Sequence, residues 1–121
     1  MTTHIEDYEN FLYEAKSNKE PFEIFAKNRL AGATKIAENA ESKGGDAMLT
    51  YHHFVVKLPV YKQAMEGKFK LDKAVSTLER LMIKLNAGAK KDVKMRQVDF
   101  QKTMGLIEVW GELIIKYHET H

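Results

Sequence analysis

No cysteine occurs among the 121 residues, so disulfides, thiolate zinc sites and cysteine nucleophiles are all excluded, and stability has to come from packing. A reducing compartment is allowed by this absence without being required by it. Proline occurs only twice, at Pro21 and Pro59, and tryptophan once, at Trp110. No apolar run approaches the roughly 20 residues of a membrane span, and the N-terminus carries acids where a secretory signal carries bases, so neither a membrane partner nor signal-peptide export is expected. Lys and Arg are missing altogether from positions 1 to 14, which hold Glu6, Asp7, Glu9 and Glu14.

What is present is the balance of a globular domain: 44% hydrophobic and 30% charged residues, with a net charge of +2. The length suits one domain with a sizeable core, so residues 1–121 are read as a single helical domain in which 1–14 form a candidate cleavable leader helix. Without those 14 residues, 19 bases would face 13 acids, a balance of +6. A second bias lies at 84–102, where Lys84, Lys90, Lys91, Lys94, Arg96 and Lys102 face only Asp92 and Asp99.

Apolar residues recur at helical spacing nearly throughout, and two-residue alternation is never sustained. The pattern predicts an all-α fold, a compact bundle of about five helices with a long C-terminal helix. The first, at roughly 3 to 16, places Ile5, Tyr8, Phe11, Leu12 and Ala15 on one stripe before a breaker at Ser17 to Pro21. The second, about 21 to 43, buries Phe22, Phe25, Ala26, Ala33, Ile36, Ala37 and Ala40, and Gly44-Gly45 stops it. Asp46 is expected to cap the third, which presents Met48, Tyr51, Phe54, Val55 and Leu58 and kinks or breaks at Pro59, with Val60 to Met65 continuing as a bent turn. The fourth, about 71 to 86, points Leu71, Val75, Leu78, Leu81, Met82 and Leu85 inward and stops at Asn86-Ala87-Gly88. The last begins near Asp92 and runs to about 119. Its second half is apolar on more than one side, which calls for two neighbours: a central position with Trp110 buried, or a homodimer seam along Leu106 to Tyr117.

His52 and His53 lie on a helix, but adjacent helical residues point about 100° apart and cannot share a metal unaided. Glu38 or Glu41 could approach His52, yet no Glu-x-x-His pair occurs, and no metal or cofactor is expected. His118 and His121 read as surface residues of a frayed end. Lys43-Gly44-Gly45-Asp46 is a partial phosphate loop whose aspartate disfavours an anion, and Ala40 stands where a histidine phosphotransfer domain would carry its histidine. No nucleophile is spaced with a base, so no catalytic residue and no enzyme activity are expected. The stretch from Asn86 to Lys91 loosely fits the turn of a helix-turn-helix. Lys90, Lys91, Lys94, Arg96 and Lys102 are candidate contacts to a nucleic-acid phosphate backbone rather than to bases.

Residues 8 to 15 read Tyr8-Glu9-Asn10-Phe11-Leu12-Tyr13-Glu14-Ala15, a Tyr-x-x-Phe-Leu-x-Glu-Ala pattern near the N-terminus. It resembles the capsid-targeting sequence of the internal head proteins of T-even-like tailed phages. The resemblance implies a leader recognised through Tyr8, Phe11, Leu12 and Glu14 and cut by a prohead protease between Glu14 and Ala15. It implies a protein packaged with DNA, whose partners are that protease, the DNA backbone and a host protein, in the virion interior or the host cytoplasm. This chain differs from the family leader in carrying His4, Glu6 and Asp7 ahead of Tyr8. Residues Tyr8, Phe11, Leu12 and Ala15 would serve equally as the first helix of the core, and a small helical adaptor that binds a protein partner or itself is the alternative function.

Overall fold

The computed structural model describes residues 21–90 and 97–121, and there the chain is helical with no strand. Five helices follow one another: α1 Phe22–Lys43, α2 Ala47–Val55, α3 Leu58–Met65, α4 Leu71–Lys90 and α5 Gln97–Thr120. The expected first helix, at 3 to 16, lies outside the described residues, as does any start of the last helix near Asp92.

Helix α1 begins where Pro21, held at φ −54°, offers its carbonyl to the Phe25 N–H at 2.8 Å. All seven residues expected on its inner face are buried, and Arg29 lies among them. Gly44 at φ +64° ends the helix in the left-handed region, its N–H bonding the Ala40 carbonyl at 3.1 Å. Asp46 departs from the expected cap. It is already helical, its carboxylate makes no capping bond, and its backbone carbonyl accepts from the Leu49 N–H at 3.3 Å.

The expected kink or break at Pro59 is a break into two helices, and it falls just before the proline. Pro59 has no N–H for the Val55 carbonyl, so α2 stops at Val55 and Pro59 sits in the first turn of α3, where that N–H is not needed. The Lys57 N–H closes the joint on the Phe54 carbonyl at 3.0 Å.

Helix α5 is central: α2 packs along one side and α4 along another, with lesser contacts to α1 and α3. Phe25, Ala26 and Ala33 of α1, Phe54 of α2, Tyr61 and Ala64 of α3, and Val109 and Leu113 of α5 meet in one core. Each large apolar side chain buried there contributes about 1.5–3 kcal/mol. Helix α4 has α5 as its main neighbour, which changes its expected inner face. Ala74 is fully buried and Leu71, Leu78, Leu81 and Leu85 are half-buried, whereas Val75 and Met82 are exposed. One neighbour covers only the narrow stripe spaced three and four residues apart. Nor does α4 stop at Asn86-Ala87-Gly88; it runs on to Lys90, so the short turn of a helix-turn-helix does not form at Asn86. Glycine costs a helix only about 1 kcal/mol, too little by itself to end one.

Gly105 sets how closely α5 crosses α2. A Cβ there would run into the His53 carbonyl oxygen and stand 2.8 Å from Val56 Cγ2. Backbone is the obstacle, so no side chain can swing aside. Gly105→Ala is expected to destabilise the protein by about 1–3 kcal/mol despite alanine's better helix propensity. Urea unfolding monitored by circular dichroism checks this.

Candidate functional site

Along the joint of α2 and α3, four-residue spacing puts His53, Lys57 and Tyr61 on one face, opposite Gln101, Glu108 and Glu112 of α5. His53 Nδ1 lies 3.1 Å from Gln101 Oε1, and its Nε2 lies 3.3 Å from Glu108 Oε2. The Lys57 ammonium donates to Glu108 Oε1 and sits 4.6 Å from the centre of the Phe54 ring. The Tyr61 hydroxyl donates to Glu112 Oε1 at 2.8 Å. From α1, Arg29 grips the same carboxylate through both oxygens, Nε to Oε1 at 2.9 Å and Nη2 to Oε2 at 3.0 Å. Farther along α5, Lys116 lies over the Phe25 ring at 4.9 Å and reaches Glu119 at 3.7 Å.

Burial governs the chemistry of this ladder. Lys57 is wholly enclosed, and loss of hydration pulls its pKa below the usual lysine value, against the opposing pull of Glu108. A lysine with a lowered pKa is the type used as a nucleophile or base, but an electrophile could reach this nitrogen only if α5 moved away. The ladder binds helix to helix. Tyr61 is shifted the other way: burial first, then the charge of Glu112, pushes its hydroxyl well above 10.

The expected sites fare differently. Tyr8, Phe11, Leu12, Glu14 and Ala15 lie outside the described residues, as do Lys91, Lys94 and Arg96. Lys90 ends α4, and Lys102 is exposed on α5. His52 is half-buried, its ring edge-on to Tyr51 with centroids 5.3 Å apart. Glu41 acts on Tyr51 instead, raising the pKa of its hydroxyl. Among the described residues no three His, Asp or Glu side chains are placed to hold a metal ion. Trp110, expected to be buried, is half-buried because it walls a cleft of about 260 Å³ with Val60, Gln63, Ala64, Lys68, Phe69, Lys70 and Lys73.

Fold and ladder together define the class: an all-α bundle whose central helix is held by buried ion pairs. No family model, no curated protein and no solved structure matches the chain.

The Tyr61 shift predicts a pH dependence. Its folded pKa is raised, so its contribution to stability is complete below the unfolded value of 10.0 and is lost as pH rises from there towards the folded value. Tyr61→Phe is expected to be less stable than the parent at pH 8, having lost the bond to Glu112. That deficit should shrink as pH rises beyond about 10, because phenylalanine has no proton to lose. Urea titrations of both proteins across this range provide the check.

Proposed function

We propose that this chain is a non-enzymatic internal head or accessory protein of a tailed phage, sent to the prohead by its N-terminal leader and packaged with DNA. The observation that carries the reading is the Tyr8-x-x-Phe11-Leu12-x-Glu14-Ala15 pattern. Two features support it. Cutting after Glu14 removes four acids and no bases, leaving a body at +6 that is suited to lying among DNA phosphates. Among the described residues one core joins α1, α2, α3 and α5, and a chain cut after Glu14 keeps all of it.

The second reading is a helical adaptor that binds a protein partner or a second copy, and it is favoured by a different observation. Val75, Met82 and Ile83 of α4 and Ile115 of α5 are exposed apolar side chains, Ile83 at 67% and Ile115 at 62%. A stable dimer by light scattering of the intact chain would favour the adaptor.

Co-expression with the prohead protease of a T-even-like phage tests the first reading. Cleavage between Glu14 and Ala15, read by mass spectrometry and blocked by Glu14→Gln, is the expected result. A chain starting at Ala15 should also fold, with cooperative melting. An uncut chain, or a shortened one that does not fold, would overturn the leader assignment.

A further inference from the structure

The cleft beside Trp110 is formed by a local feature of the chain. After α3, Gly67 at φ +77° turns the backbone back on itself, its N–H bonding the Ala64 carbonyl at 3.2 Å and the Lys68 N–H bonding the Gln63 carbonyl at 2.9 Å. The turn carries Lys68, Phe69 and Lys70 to the mouth of a space whose other walls are Val60, Gln63 and Ala64 of α3, Lys73 of α4 and Trp110 of α5. Phe69 lies near-parallel to Trp110, at 29° with centroids 6.3 Å apart. Phe22 braces Phe69 from behind, with centroids 4.9 Å apart. Among the described residues lining the cleft, the three charged ones are all lysines. Glu66 reaches the Lys68 ammonium at 3.6 Å, but both side chains are open to water, where such a pair is weak.

We propose that this cleft binds a nucleotide unit, with the base against Trp110 and Phe69 and the phosphate among Lys68, Lys70 and Lys73. Three features select this ligand. The aromatic wall suits a flat ring and tolerates any base, because every base presents a π-face. The cationic rim favours an anion at the other end, and ammonium groups bind phosphate as point charges without demanding one orientation. The volume, about 260 Å³, is small for a drug-sized ligand but enough for a base and part of its sugar, with the phosphate outside at the rim. Gln63 offers an amide donor and acceptor to the edge of the base. The nucleotide is either free or one unit of a single strand. The proposal is argued from residues 60 to 110 alone, so it stands or falls apart from the phage reading.

Trp110 is the one tryptophan of the chain, so its emission reports directly on the cleft. The experiment titrates the intact protein with a deoxynucleoside 5′-monophosphate, the matching nucleoside, inorganic phosphate and an oligothymidylate. The expected result is saturable quenching by the monophosphate at a concentration about tenfold lower than by the nucleoside. Lys70→Gln with Lys73→Gln should weaken the monophosphate about tenfold while leaving the far-ultraviolet circular dichroism of the free protein unchanged. Tighter binding of the oligothymidylate per nucleotide assigns the ligand to single strands, and equal binding assigns it to free nucleotides. The proposal is overturned by no saturable quenching from monophosphate or oligonucleotide, by quenching that inorganic phosphate alone reproduces, or by affinity that survives the loss of both lysines in a folded variant.

Discussion

The close crossing of α5 over α2 at Gly105 is the constraint on which the other contacts depend. With no side chain at Gly105 the helix backbone comes up against the His53 carbonyl, and this nearness brings Gln101 and Glu108 within reach of His53. One and two turns further along, the same approach puts Glu108 on Lys57 and Glu112 on Tyr61 and Arg29. A bulkier residue at 105 would lift the helix, and each of these side chains would be left in a space that admits little water.

Buried ions add little net stability when paired, since desolvation offsets most of the attraction, but they cost several kcal/mol when the pairing is broken. They therefore choose between packings rather than deepen one. Sliding α5 along α2 by a single residue would turn Glu108 and Glu112 about 100° away from Lys57 and Arg29 and break both ion pairs. Apolar contacts such as Val109 and Leu113 against Phe54 would tolerate that slip far better, because alkyl surfaces are interchangeable. The ladder supplies a register that the alanine-rich face of α1 and the aliphatic residues of α5 do not specify by themselves.

Much of this was legible in the residues and some was not, for reasons that can be named. The buried stripe of α1 followed from spacing, and the central place of α5 from its apolar character on two sides. Arg29, Lys57 and Lys116 could not be recognised as buried, because a cation inside an apolar stripe has the same signature as one on a solvated edge. A usable signal existed in Glu108 and Glu112, two acids within the most apolar segment of the chain, where a carboxylate needs a cation across the interface. The break was legible from Pro59, and it falls just upstream of the proline because the hydrogen bond lost is the one to the carbonyl four residues earlier. The cleft was hidden for a different reason: its walls come from three helices and a connection, and only the turn at Gly67 unites them.

A double-mutant cycle on Arg29 and Glu112 tests most directly whether paired charges set the seat of α5. Arg29→Met and Glu112→Met, singly and together, would be followed by urea unfolding of the intact chain. Each single change is expected to cost about 3–5 kcal/mol by taking away a buried charge's ion-pair partner, and the double change less than the sum of the two. Losses that simply add would contradict the account, since they would mean that the two side chains contribute independently and that the bidentate pair holds nothing in register.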